Sequence, residues 1–483
     1  MTSVKEKLTE AKKRGHFRSV DLFAGCGGMT LGFHRAGFKC VSAVEIDDEA
    51  RRTHIENFSS LSGADEYKSF DDIKATRPKD AVEHIRQSHQ QPEDVIDLVI
   101  GGPPCQAFSR LGRARLWELG GEKYAHQNDE RATMYQYYLE YVARLKPLAF
   151  VLENVREIGK FVGRNVAEEI AVSAEDLGYD VKYTLLNAVW FGVPQLRERA
   201  IIIGIHKDLM TTPTFPRIEN KYELPVGYST SRSGTGKNSL LPPLDHYVDH
   251  LEYVRKPREA ISVEEAFSDL EPIFDHLDGR TGKGRRRNAQ TLGTYVKSAT
   301  GFSRKMRSWP DFKADKIQYT GQVIRYTPRD YEIFRRMPHG GMYPDAYKTA
   351  LEIFAERVAQ YEETHNKKLR EGDAAWDEIF KKTVPPYPIT KYPNKFRKMW
   401  PDHPARTVPA HLGKDSYSHI HFDSDQARCV SLREAARLQS FPDGFVFPGT
   451  MNHSLKQIGN AVPPLMAHAI ASELYKGLIG CIK

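Results

Sequence analysis

The sequence predicts an α/β protein, doubly wound around a mainly parallel sheet, with a second, smaller domain. Three observations predict it. Short apolar runs of β type alternate with helical spacing from residue 18 to about residue 205, the pattern of strands joined by crossover helices. The residues with chemical character stand at the carboxyl ends of those runs, where ligands bind in such folds. The chain has 483 residues, too many for one ordinary core.

Residues 19–23 (SVDLF) read as the first strand, followed by a glycine-rich turn and a helix over 30–36. Residues 39–44 read as the second strand. The run 96–100 is the next strand and leads through Gly101-Gly102 into Pro103-Pro104-Cys105. Helical spacing covers 132–145, and 149–152 is a buried strand ending at Glu153-Asn154. Residues 181–186 and 200–205 complete the series. After residue 207 proline, glycine and charge become dense, and 228–237 (YSTSRSGTGK) reads as a surface loop. Residues 283–288 (KGRRRN) are basic, 346–370 favour helix, and helical patterning returns at 431–438 and 465–475. The expected segments are 1–206, 207–392 and 393–483, without internal repeats.

With 40% apolar and 28% charged residues the composition is that of a globular protein. The formal charge of +7 permits a polyanionic partner. The five cysteines, Cys26, Cys40, Cys105, Cys429 and Cys481, are odd in number and contain no C-x-x-C pair. A disulfide framework or metal site is not expected, and a reducing interior fits. Residues 1–18 lack the apolar core of a signal peptide, and no run approaches the about 20 apolar residues of a membrane span. The expectation is a soluble cytoplasmic protein.

Two constellations carry chemistry. Pro103-Pro104 stiffens the approach to Cys105, which makes its thiol either a nucleophile or a small buried hydrophobe. The turn after the first strand lets backbone approach a ligand closely at Gly25 and Gly27. A dinucleotide fingerprint counted from Gly25 needs glycine at position 30, where the chain has Thr30. Glu45, twenty residues past Gly25, suits ribose hydroxyls, so an adenosine-type cofactor such as S-adenosylmethionine fits better than a nicotinamide.

Six segments in order then resemble the DNA (cytosine-5) methyltransferases of bacterial and phage restriction–modification systems: DLFAGCGG (21–28), PPCQAFS (103–109), ENV (153–155), Gln195, Arg197 and Arg199 in Q-x-R-x-R, RLQSFPDGF (437–445) and QIGNAVPP (457–464). The family usually has a less polar residue where Cys26 stands, so Cys26 is expected to pack. The resemblance implies the S-adenosyl-L-methionine-dependent methyltransferase fold and methyl transfer to carbon 5 of cytosine in a specific double-stranded DNA sequence. Cys105 would add to carbon 6 of a flipped-out base. Glu153 would meet ring nitrogen 3, with Arg197 and Arg199, alternating on a strand edge, contacting that carboxylate and the base. Asn154 would orient the loop. Phe23, Gly25, Gly27, Glu45, Ile46, Asp72, Pro103, Asn460 and Val462 would hold the cofactor, the last two by return of the C-terminal segment to the first domain. Gln106, Ser109 and Arg110, in a loop closing over DNA, and Arg285, Arg286 and Arg287, on phosphates, would bind the duplex. Residues 207–392 would recognise the target. The expected setting is the cytoplasm or nucleoid, as a monomer, with a cognate endonuclease acting separately. The alternatives are a transfer RNA cytosine-5 methyltransferase and an inactive DNA-binding homologue.

Overall fold

The computed structural model describes residues 3–62, 67–88, 96–104, 134–160, 165–225, 245–248, 252–279, 288–414 and 417–481. They form two compact units, residues 1–260 with 461–483 and residues 261–460.

Seven strands make the sheet of the first unit: β1 Phe17–Leu22, β2 Phe38–Val44, β3 Lys68–Phe70, β4 Leu98–Gly101, β5 Ala149–Val155, β6 Tyr179–Asn187 and β7 Glu198–His206. Their order is β3-β2-β1-β4-β5-β7-β6. The pairs from β3 to β5 are parallel, and β7 runs antiparallel to both β5 and β6. Every residue of β1 and β4 is buried; β4 (LVIG) reads as a continuous apolar run, whereas β1 (FRSVDL) buries Arg18, Ser19 and Asp21 among its apolar residues. The connecting helices are α1 Val4–Arg14, α2 Gly28–Arg35, α3 Asp48–Phe58, α4 Pro78–Ser88, α5 Met134–Leu145 and α6 Val166–Asp176. Asp47 and Asn165 cap α3 and α6 by accepting from the amides of Ala50 and Glu168.

The helix Pro464–Gly480 packs on α2 within this unit. A Cβ at Gly32 would overlap Ala467 Cβ and stand 2.7 Å from Pro464 O, so only glycine admits this crossing. No helix among the described residues is long and apolar enough to cross a membrane.

The breaks fall at 260/261 and 460/461 rather than at 206/207 and 392/393. Residues 207–260 stay with the first unit because strand Ile218–Lys221 packs against Ala188–Phe191 and pairs with Tyr253–Glu259. Residues 393–460 belong to the second unit. The Arg397 amide donates to Tyr417 O, the Met399 amide donates to Ile420 O, and Phe396 joins the core of Phe334, Tyr343 and Ile353. The expected helix over 346–370 is Tyr343–His365.

Residues 245–248 are tied to β6 by backbone bonds between Tyr183, His246 and Val248. His246 Nδ1 lies 2.5 Å from Glu168 Oε1 and Nε2 lies 3.2 Å from Glu175 Oε2. Burial lowers the imidazole pKa, but the hydrogen bonds to both glutamates outweigh it and the net shift is upward. A raised folded-state pKa stabilises below the unfolded value of about 6.5, and that contribution is lost as pH rises through the folded value. Unfolding of wild type and His246→Gln followed between pH 5 and pH 9 is expected to show a wild-type advantage of up to about 1 kcal/mol at the acid end that vanishes at the alkaline end.

Candidate active site

Val44, Leu22, Gly101 and Leu152 stand side by side across β2, β1, β4 and β5. The loops that follow β2, β1 and β4, beginning at Glu45, Phe23 and Gly102, and the last residues of β5, Glu153 to Val155, therefore lie along one carboxyl edge.

The first loop bends immediately. Phe23 leaves β1 at φ 59°, and Gly25 and Gly27 follow at 57° and 94°. A Cβ at Gly25 would meet nothing within 4 Å, so backbone there faces open space. A Cβ at Gly27 would overlap Phe58 Cε2 and stand 3.0 Å from His54 Cδ2. Glu45 braces the loop: Oε2 accepts from the Gly25 amide at 2.8 Å and Oε1 from the Asp47 amide at 2.7 Å. Ile46 beside it is 71% exposed, an apolar surface at the mouth. Cys26 is buried, and burial pushes its thiol pKa up, as expected of a packing residue. Asp72, just beyond β3, accepts from the Lys74 amide at 2.9 Å.

At the other end of the edge, Glu153 is 9% exposed and pairs with Arg199 Nε at 2.9 Å. A Cβ at Gly102 would stand 3.0 Å from Glu153 Oε2, so the start of the proline loop adjoins this carboxylate. Asn154 Nδ2 donates to Pro103 O at 3.3 Å, and its Oδ1 accepts from the Val155 amide at 2.9 Å. That holds the loop backbone from below. Cys105, the residue after Pro104, lies outside the described residues, as do Gln106, Ser109, Arg110, Arg285, Arg286 and Arg287.

Arg199 does not lie on a strand edge. It sits on β7 between Val155 of β5 and Leu186 of β6, because β7 inserts between these two strands. Arg197 precedes β7, is buried, and is held by Asn187, whose Oδ1 accepts from the amides of Arg197 and Val189 at 3.2 Å. Burial depresses the Arg197 pKa most, Arg199 adds to this, and Glu153 opposes it. Sequence reasoning missed Asn187. A buried asparagine at the end of β6 that also caps Ala188–Phe191 is its only local signal. Val462 is buried in the first unit, whereas Asn460 ends the helix Met451–Asn460 of the second.

The family profile of the C-5 cytosine-specific DNA methylases matches residues 17–476. The chain belongs to this family. A protein of Oceanobacillus iheyensis assigned as type II methyltransferase M.OihORF3336P is 33% identical over 490 residues, covering 100% of this chain and 98% of its own. Type II methyltransferase M.AgeI of Thalassovita gelatinovora is 30% identical over 95% of this chain and 99% of its own. DNA (cytosine-5-)-methyltransferase M.ApeKI of Aeropyrum pernix is 27% identical over 95% and 98%. A solved structure described as a DNA modification methyltransferase encoded within an E. coli prophage shares the fold, at TM-score 0.59 and 22% identity over 96% of this chain and 99% of that one.

This cytosine-5 methyltransferase uses S-adenosyl-L-methionine, and the first loop fits that molecule: open space at Gly25, a carboxylate at Glu45 and an exposed apolar face at Ile46. Gly27→Ala is expected to weaken donor binding at least about tenfold in calorimetric titration, because a side chain there needs a left-handed backbone and displaces Phe58.

Proposed function

We propose that the enzyme methylates cytosine within one duplex DNA sequence as the protecting partner of a restriction endonuclease, through a covalent adduct at Cys105. The observation that carries this reading is the meeting of Glu153, Arg199 and the Asn154-held proline loop at one carboxyl edge. The type II methyltransferase relatives support the restriction–modification setting. Bound S-adenosyl-L-methionine supplies an electrophilic methyl group.

The Cys105 thiolate would add to carbon 6 of a cytosine turned out of the helix, and carbon 5 would become nucleophilic enough to take the methyl, the donor's sulfur–methyl bond breaking with its electron pair left on sulfur as a neutral thioether. The carbon 5 proton then leaves to solvent and the thiolate is expelled. Glu153 carries a proton to ring nitrogen 3 as the ring takes up the electrons of the adding thiolate, Arg199 orients that carboxyl group, and Arg197 completes the cluster. Phe23 and Ile46 pack on adenine, Glu45 takes the ribose, and Gly25 and Gly27 admit the methionine part. Asp72, Pro103 and Val462 complete the pocket. The unit 261–460 reads the target, and the basic segment at Arg285, Arg286 and Arg287 contacts phosphates, with Gln106, Ser109 and Arg110 closing over the base. The protein works as a monomer in the bacterial cytoplasm, separately from its nuclease.

Bisulfite sequencing of plasmid from expressing cells is expected to show one recurring sequence with protected cytosines. Duplex containing 5-fluorocytosine is expected to trap a protein–DNA adduct at residue 105. Uniform conversion of cytosine, or duplex binding without an adduct in the presence of donor, overturns the proposal.

A further inference from the structure

Beneath the glycine turn, five side chains from five segments form one hydrogen-bond chain. Thr30 Oγ1 of α2 donates to Asp21 Oδ2 of β1 at 2.5 Å. His54 Nε2 of α3 lies 3.1 Å from Thr30 Oγ1, and the Tyr67 hydroxyl lies 3.1 Å from His54 Nδ1. Cys40 Sγ of β2 stands 3.7 Å from the Tyr67 oxygen. Asp21, Thr30 and His54 are buried, none more than 1% exposed.

The directions follow from the donors available. With Asp21 ionised, the one proton of Thr30 goes to it, so the Thr30 oxygen accepts from His54 Nε2–H, which leaves Nδ1 to accept from Tyr67. That requires a neutral imidazole, and burial lowers the His54 pKa to about 3. Buried polar groups cost stability unless each is partnered, and here each of the three is partnered by the next.

The chain is joined to the turn at three places. Asp21 stands two residues before Phe23, and Thr30 stands two residues after Gly28. The His54 ring, 4.7 Å from that of Phe58, forms the surface against which Gly27 rests. Thr30 occupies the position where a dinucleotide turn carries its third glycine. Here that position supplies a hydrogen-bond bridge.

We propose that Asp21, Thr30 and His54 are positioning residues for the methyl donor, their hydrogen bonds holding the turn over residues 23–28 in the shape that receives it. The inference rests on reading that turn as the donor site.

The test is calorimetric titration of the full-length protein with S-adenosyl-L-methionine, beside duplex affinity by fluorescence anisotropy. Thr30→Val keeps the side-chain shape and removes both hydrogen bonds. It is expected to weaken donor binding about tenfold while duplex affinity stays within about twofold. Thr30→Ser, which restores the hydroxyl, is expected to bind the donor within about twofold of wild type. Wild-type donor affinity in Thr30→Val, beside a weakened Glu45→Ala, overturns this inference alone. Wild-type donor affinity in Glu45→Ala overturns the donor-site reading and this inference with it. Equal losses of donor and duplex affinity in Thr30→Val without rescue by serine indicate a general structural role, and also overturn it.

Discussion

Cys105→Ala is expected to reduce methyl transfer to background, and Glu153→Gln to lower kcat by about 10²–10⁴-fold. The first removes the atom proposed to bond carbon 6. Duplex binding is expected to persist, because the thiol contributes little to it, and no adduct is expected with 5-fluorocytosine. The second keeps the side-chain shape at a site 9% exposed. It removes the negative charge that Arg199 holds at 2.9 Å and, with it, the proposed capacity to carry a proton to the ring. Because charge develops on the ring only as the thiolate adds, the loss belongs to kcat rather than to KM for duplex. Single-turnover kinetics with labelled donor measure it. A Glu153→Gln enzyme that keeps more than about a tenth of wild-type kcat removes Glu153 from the chemistry.

Arg437→Leu is expected to destabilise the second unit by about 3–5 kcal/mol. The guanidinium is fully buried. It donates through Nε and Nη2 to Asp443 at 3.0 and 2.6 Å, and through Nη1 to Ala266 O at 2.9 Å and to Asp269 Oδ1. Burial pushes the Asp443 carboxyl pKa up, but Arg437 and Arg433 outweigh this and hold it down. A leucine leaves two carboxylates buried without this counter-charge, and the cost is that of stranding them rather than the worth of the ion pair. Urea unfolding measures it. A loss under about 1 kcal/mol shows that solvent or another cation replaces the guanidinium. Arg437 opens the RLQSFPDGF segment, whose role in the chain had no sequence-level explanation.

The strands were legible where burial is complete. β4 (LVIG) and the first four residues of β5 (AFVL) are continuous apolar runs that lead to Gly102 and Glu153, and β1 (FRSVDL) leads to Phe23, so the residues at one carboxyl edge could be named together. Helix α3 was not legible. Its buried face includes Thr53, His54 and Asn57, polar residues that show no apolar stripe; Thr53 and Asn57 donate to carbonyls of α3 itself, and His54 is accommodated by Thr30 and Tyr67 on other segments. Helix α1 was missed for a related reason. Lys7 is buried there, with Nζ donating to Leu145 O and Lys146 O at the end of α5, and nothing near residue 7 announces that partner.

Apolar runs, glycine turns and motif order, all local properties of the chain, determined the parallel part of the sheet, the glycine turn after β1 and the family. Tertiary structure alone decided that β7 inserts between β5 and β6, that Asn187 clasps the backbone of Arg197, and that the units divide at 260/261 and 460/461. Those outcomes depend on hydrogen bonds and packing between segments ten to more than two hundred residues apart. A strand's neighbours and a buried polar group's partner are set by what fills the remaining space, which no window of sequence contains.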